Sequence, residues 1–210
     1  MGEIILVGNG PSILENELGS KIDEFDKVVR FNNFEIDGYE KHVGSKSDIL
    51  ARRACDDVKL WPTEIFEEVV CFVTYCMWTQ GMLNVARQIK GHYEGKCTVV
   101  FPHTCASIGR EIELDQPHNE WASVGALALG YFTRMYDKVT VCGFDHLVPQ
   151  NGKVEHYFPK PPKDDKFHNG YKERIFTESL ISQNKVFLLS LSNHIIFPPQ
   201  QTSRIYLSSI

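Results

Sequence analysis

Two histidines in one polar stretch carry the strongest acid–base chemistry in the sequence. His156 stands in "VEHYFPK" beside Tyr157, and His168 stands in "KFHNGYKE" with Glu173 five positions later. A neutral imidazole can take a proton from a hydroxyl near pH 7, and a protonated one can stabilise a departing phosphate. A lone loop histidine is usually a surface residue, so the pair matters only if the fold aims it at a ligand. The remaining histidines (His42, His92, His103, His118, His146, His194) lack the i, i+4 spacing of a metal site. No Asp-x-Asp triplet occurs to hold a divalent cation on a nucleotide diphosphate.

The ligand those histidines would serve is suggested near the N-terminus. In "EIILVGNGPSILE" an apolar run enters Gly8-Asn9-Gly10-Pro11-Ser12 and then turns helical, a pattern that cradles phosphate. The dinucleotide fingerprint fails here: the turn reads Gly8-x-Gly10-x-x-Ile13, and the second strand ends in Arg30-Phe31-Asn32-Asn33 rather than an acid. A P-loop fails as well, because no Gly-Lys-Ser/Thr follows. What remains is a turn of backbone amides with Asn9, Asn32 and Asn33 nearby. Asparagine offers a donor and an acceptor without charge, which suits a ribose, a base edge or a phosphate oxygen. It suits equally the stabilisation of its own turn, and at this point both readings stand.

Elements able to position these residues follow from the hydrophobic pattern. Strands are expected at 3–7, "DKVVRFNNF", "SDILARRA", "EEVVCFVTY", "CTVVF", "DKVTVCGF" and "KVFLLS". "SILENELGSKIDEF" reads as a short helix or turn ending near Gly19. Helices are expected over "GMLNVARQIKGHY", stopping at a glycine, over "SVGALALGYFTRMY" with Ser123 as cap, and over "GYKERIFTESLISQN". Alternating strands and helices imply an α/β fold: one Rossmann-like domain over 1–210, with a mainly parallel twisted sheet and helices on both faces. Ligands in such sheets bind beyond the carboxyl ends of the strands. That rule gathers Gly8 to Ser12, Arg30 to Asn33 and the loop after Phe144. The Pro/Lys/Asp-rich stretch 145–170 is too long for a mere connector and reads as an active-site lid.

Composition narrows the class. Hydrophobic residues at 42% and charged residues at 23% fit a globular domain with a sizeable core. A net charge of -5 and the lack of a basic run argue against nucleic acid as a partner. No signal peptide or membrane-spanning stretch is evident, which leaves room only for peripheral membrane contact. The six cysteines show no C-x-x-C pair, and several sit in apolar runs, so a reducing, cytoplasmic setting is expected.

Taken together, the motifs resemble those of the sialyltransferases of glycosyltransferase family 29. "ILVGNGPS" and "GSKIDEFDKVVRFNNFEIDGYEKHVGSKSD" look like the long sialyl motif, and "WASVGALALGYFTRMYDKVTVCGF" looks like the short one. "HYF" resembles the third motif, and His168 to Glu173 matches the very short H-x4-E motif. The four occur in the family's order. "GNGPS" in a compact chain is also similar to the bacterial sialyltransferases of family 42.

The resemblance implies an inverting transfer of sialic acid from CMP-sialic acid to a glycan hydroxyl, without metal or other cofactor. Its partners would be the CMP-sugar donor and a glycan acceptor. Asn9 and Asn32 would hold the CMP portion, with Gly8, Gly10, Ser12, Asn33 and Gly143 lining the same donor site. Ser123 and Gly125 would lie against the donor's phosphate or carboxylate. His156 with Tyr157 would stabilise the departing phosphate, and His168 would be the base on the acceptor. Animal members pair a cysteine before the first turn with one before the short-motif strand; the positions near Glu3 to Ile5 and at Tyr136 lack both. That loss fits a cytoplasmic, microbial or viral enzyme. Val124 stands where the family has Ser or Thr. Another CMP-linked sugar such as Kdo would suit the same site, and a non-catalytic nucleotide-binding protein is the reading from another class.

Overall fold

Seven short apolar runs become the strands of one parallel sheet: β1 (Ile4–Val7), β2 (Lys27–Phe31), β3 (Ile49–Arg53), β4 (Glu68–Phe72), β5 (Cys97–Val100), β6 (Val139–Cys142) and β7 (Val186–Leu188). The computed structural model describes residues 2–79, 81–115, 120–146, 156–159 and 167–190. Strand order is β5-β4-β3-β2-β1-β6-β7, and every pairing is parallel. β1 lies inside the sheet between β2 and β6, with Ile4 opposite Lys27 on one side and Val139 on the other. The chain builds outward from β1 to β5, then returns to add β6 and β7 on the far side. That reversal between β1 and β6 is the topological switch point, where an open α/β sheet has its ligand crevice.

Alternate side chains of each strand feed opposite faces, as the two-residue period requires. Ile4 and Leu6 join Val70, Phe72, Ile108, Leu127 and Phe176 on one face. That face is covered by α5 (Pro102–Glu111), α6 (Val124–Phe132) and α7 (Gly170–Ser182). Ile5 and Val7 join Ile13, Leu18, Ile22 and Val43 on the other. There a 3-10 turn (Pro11–Glu15), α1 (Gly19–Asp23) and α2 (Glu40–Val43) pack, and α4 (Leu83–His92) covers β3 and β4 farther along. Helices on both faces of a parallel sheet are the architecture the sequence implies.

Several boundaries differ from the sequence-based expectation. Gly19 opens α1 instead of closing a helix. The fourth strand stops at Phe72, and Tyr75 begins the short helix α3 (Tyr75–Thr79). α4 runs through Gly91, and the reversal falls at Gly95 with φ 76. Helices α2 and α5 were not expected. α5 opens on Pro102 at a position where a missing N–H costs nothing. The proposed lid is described only at 145–146, 156–159 and 167–170; residues 147–155 and 160–166 lie outside the described residues.

The segment 22–48 is held by its own charged side chains. The Asp23 carboxylate accepts from the Ser45 and Lys46 amides at 2.9 Å. Asp48 accepts from the Val28 amide at 2.7 Å, and the buried Arg30 guanidinium donates to the Val43 and Lys46 carbonyls. Burial lowers the Arg30 pKa, and the carbonyl ring around it compensates that desolvation. Asp23, Arg30 and Asp48 therefore shape the backbone around the strand that leads to Asn32.

Candidate active site

At the switch point two turns touch. Gly8 N–H donates to the Cys142 carbonyl at 2.8 Å, and Gly10 N–H donates to the Gly143 carbonyl at 2.9 Å. Gly143 adopts φ 64, a region only glycine enters freely. A methyl group on Gly8 would collide with the Gly143 carbonyl oxygen, so both glycines are demanded by this approach. Ser12 adds a second fastening: its amide donates to Asp145 Oδ2 at 3.0 Å, and its hydroxyl bonds the other carboxylate oxygen. The sequence reading missed Asp145. Its signal was an acid two residues past Gly143, the glycine that follows β6.

Asn9 sits between these fastenings. Its Nδ2 donates to the Phe31 carbonyl at 3.2 Å, and its own carbonyl accepts from the Tyr157 amide at 3.0 Å. Its Oδ1 is buried and has no hydrogen-bond partner among the described residues. A buried acceptor left unpaired costs roughly 1–3 kcal/mol, which a ligand donor would recover. Asn32 and Asn33 differ. Asn32, at φ 47, accepts the Arg53 amide on Oδ1 at 3.1 Å. Asn33 donates to the Asp57 carbonyl and accepts the Lys59 amide at 2.8 Å. Asn32 thus ties the end of β2 to the last residue of β3, and Asn33 ties it to the chain that follows β3.

The third-motif stretch is brought to the same turn. Tyr157 is buried, and its amide bond to Asn9 places His156 next to the Gly8–Gly10 loop. The Tyr157 hydroxyl accepts the Glu35 amide at 3.1 Å and donates to the Glu35 carbonyl. Burial pushes its pKa up to about 12, so the phenol stays neutral and its proton is already committed. The His156 ring packs edge-on against Phe158 at 5.2 Å.

Across the crevice, residues 120–123 and 167–173 zip together. Trp121 N–H donates to the Phe167 carbonyl at 2.8 Å, and the two rings stack at 4.4 Å. His168 Nδ1 lies 2.7 Å from the Trp121 carbonyl. A carbonyl only accepts, so Nδ1 carries the proton and Nε2 is the basic nitrogen. Glu120 accepts from Asn169 at 2.6 Å and Lys172 at 2.7 Å. Those hydrogen bonds, the Asn169 amide first, hold its carboxyl down at about 2. Buried Glu173 accepts Ser123 N–H and Oγ–H, each at 2.7 Å. Ser123 in turn caps α6 by accepting the Ala126 amide at 3.1 Å.

Phe144 joins the two sides. It meets Phe31 edge-on at 5.8 Å, and its ring faces Gly125, where an added Cβ would stand 3.5 Å away. Val124, by contrast, packs against the apolar core. Beyond Trp121 a shallow cleft is lined by Thr74, Tyr75, Cys76, Trp121, Ala122 and Leu127 among others. Among the described residues no three His, Cys, Asp or Glu side chains converge to hold a metal ion.

The family model for glycosyltransferase family 29 (sialyltransferase) matches residues 3–54. The chain resembles the family 29 sialyltransferases. Lactosylceramide alpha-2,3-sialyltransferase of Rattus norvegicus is 25% identical over 223 residues, covering 90% of this chain and 57% of the relative. The Mus musculus enzyme of the same name is 25% identical over 183 residues, covering 73% of this chain and 44% of that one. A CMP-N-acetylneuraminate-beta-1,4-galactoside alpha-2,3-sialyltransferase of Homo sapiens is 49% identical over 45 residues, which is 21% of this chain and 12% of the relative. The chain thus spans about half the length of the lactosylceramide sialyltransferases it matches.

Solved sialyltransferases share the fold. A crystal structure of a mammalian sialyltransferase superposes with TM-score 0.63 at 21% identity, over 90% of this chain and 68% of that one. A mammalian sialyltransferase in complex with Gal-beta-1-3GalNAc-ortho-nitrophenol gives TM-score 0.66 at 21% identity, over 89% and 68%.

Proposed function

We propose that the chain is a metal-independent, inverting glycosyltransferase that moves sialic acid from CMP-sialic acid to a galactose hydroxyl of a glycan. The observation that carries this reading is the buried, unpaired Oδ1 of Asn9 at the switch point, with His156 fastened beside it through the Tyr157 amide. Asn9 Oδ1 accepts a donor hydrogen from the CMP portion. Nε2 of His168 takes the proton of the acceptor hydroxyl. The acceptor oxygen then attacks the anomeric carbon of the sialic acid as the bond from that carbon to the CMP phosphate oxygen breaks on the opposite face. The bonding pair leaves on the phosphate, and His156 stabilises that charge. Such general-base assistance contributes roughly 10²–10⁴ in rate. The galactose acceptor is supported by relatives named for lactosylceramide and beta-1,4-galactoside substrates. A reducing, cytoplasmic setting is supported by six free thiols, of which Cys71, Cys105 and Cys142 are pushed by burial up to about 12.

A donor screen tests the proposal. CMP-sialic acid, CMP-Kdo and UDP-sugars are incubated with lactose in EDTA, and released nucleotide is measured. Release of CMP from CMP-sialic acid, undiminished by EDTA, is the expected result. A preference for CMP-Kdo replaces the sugar in the proposal. A UDP preference, or CMP binding with no turnover of any donor, overturns it.

A further inference from the structure

The carboxyl end of β3 carries a cation that neither the core nor the proposed chemistry uses. In β3, Ile49 and Ala51 enter the core beneath α5 and α6, while Leu50 faces the opposite side. Two-residue alternation therefore puts Arg53, the last residue of β3, on the face of Ile49 and Ala51. There the sheet opens to the crevice, and Asn32 Oδ1 accepts the Arg53 amide at 3.1 Å. Arg53 Nη2 bonds the Asp57 carboxylate, but Nε is buried and has no hydrogen-bond partner among the described residues. Its neighbour Arg52 differs: that guanidinium donates to the Cys55, Val58 and Lys59 carbonyls and builds the turn after β3. A shielded guanidinium nitrogen without an acceptor is unfavourable, and an oxyanion is what its planar fork fits.

We propose that Arg53 binds the carboxylate of a sialic-acid-type sugar through Nε and its outer guanidinium nitrogens, displacing Asp57 to solvent. The carboxylate belongs either to the CMP-linked donor or to an acceptor glycan that already ends in such a sugar. That the ligand is such a sugar rests on the transferase reading; that it is an anion rests on Arg53 itself. Ser123, which the family resemblance sets against the donor's phosphate or carboxylate, has its amide and its hydroxyl both bonded to Glu173. With Ser123 committed, and the phosphate assigned to the β1/β6 turns, the carboxylate requires another donor. α6, which Ser123 caps, packs on β3, so Arg53 stands on the side of the sheet that the clamp covers. The Arg53 side chain is 34% exposed, so a ligand oxygen reaches its open edge, and rotation of the terminal side-chain bonds brings Nε to it. Asp57 is 51% exposed and gives way at little cost. A chain of net charge -5 also needs a local cation to hold an anionic sugar.

The test is calorimetric titration of four ligands into wild type, Arg53→Met and Asp57→Asn. Two ligands carry the carboxylate, a non-transferable CMP-sialic acid analogue and sialyllactose; CMP and lactose lack it. Arg53→Met keeps the side-chain stem and is expected to weaken a carboxylate ligand by about tenfold or more, with CMP and lactose held within about twofold. A loss confined to the donor analogue places the donor's carboxylate on Arg53, and one confined to sialyllactose places an acidic acceptor there. Asp57→Asn removes the competing anion and is expected to bind the same ligand about threefold more tightly. Arg53→Met that binds both carboxylate ligands like wild type overturns the proposal. So does an equal loss on CMP and lactose, which assigns Arg53 to the fold. Where Arg53→Met does not fold, Asp57→Asn decides, and binding that is unchanged or weaker overturns the proposal. The titrations read no turnover, so carboxylate binding through Arg53 without transfer upholds the inference while the transferase reading fails. Transfer by a protein whose carboxylate binding ignores Arg53 does the reverse.

Discussion

The two sides of the crevice solve opposite problems. Around Ser123 and Glu173 the clamp pairs both Glu173 oxygens, the Ser123 amide and hydroxyl, and the Ala126 amide in the first turn of α6. At the β1/β6 turns the fastening is equally dense, through Ser12, Asp145 and two glycine amides, yet the Asn9 oxygen at its centre is left unpaired. A satisfied network fixes geometry, whereas a buried acceptor without a partner among the described residues is open to a ligand donor; Ser47 Oγ and Arg53 Nε are likewise unpartnered, but away from the β1/β6 turns. The clamp side therefore reads as the device that holds His168, and the turn side as the device that holds the donor. Substitutions on the first side should move rate and stability; substitutions on the second should move nucleotide affinity.

The largest effect should come from His168→Ala. It is expected to lower kcat by roughly 10²–10⁴ while calorimetry shows CMP affinity within about twofold of wild type. A variant that keeps full turnover would remove His168 from the chemistry. Next, Glu173→Leu strips two acceptors from a buried site and leaves the Ser123 amide and hydroxyl unpaired. A loss of roughly 2–4 kcal/mol in denaturant unfolding is expected. Unchanged stability would show that the clamp is not what holds α7 to α6. Smaller still is Tyr157→Phe. With the phenol committed to Glu35, about 1 kcal/mol of stability should go and kcat should hold. A hundredfold drop in kcat would instead place that hydroxyl on the leaving phosphate.

Acidification should also separate the two sides, through His146. Burial first, and then Arg174, lower its pKa to about 4, with Asp145 and Glu178 opposing. The unfolded chain binds this proton near pH 6.5 and the folded one only near 4. Stability is therefore full above about pH 6.5 and is lost progressively as pH falls toward 4. His146→Gln should flatten this limb in unfolding curves measured at pH 7 and 5. A limb of unchanged depth would assign the acid loss elsewhere.

The sheet was legible because strands buried on both faces read as unbroken apolar runs, and the turn at Gly8 to Ser12 punctuates the first of them. α5 was not, since "PHTCASIGRE" buries Pro102, Cys105, Ile108 and Gly109 at helical spacing but only Ile108 among them is a strongly apolar side chain. The fourth strand was read through Tyr75 because Val73-Thr74-Tyr75 continues the β-favouring run of β4, so the start of α3 was missed. In the site, residue types were readable and pairings were not. Ser12 meets Asp145 across 133 positions, and Ser123 meets Glu173 across 50. The same limit hid the difference between Asn9 and Asn32: both look like ligand amides in the sequence, and only the Arg53 amide on Asn32 tells them apart.

That difference gives the most direct test of the account. CMP is titrated calorimetrically into wild type, Asn9→Leu and Asn32→Gly, the last chosen because glycine tolerates φ 47. Asn9→Leu is expected to weaken CMP by about tenfold or more, the equivalent of one lost hydrogen bond to a buried acceptor, while Asn32→Gly keeps affinity within about threefold. Wild-type affinity in folded Asn9→Leu would contradict the placement of the donor at the β1/β6 switch point.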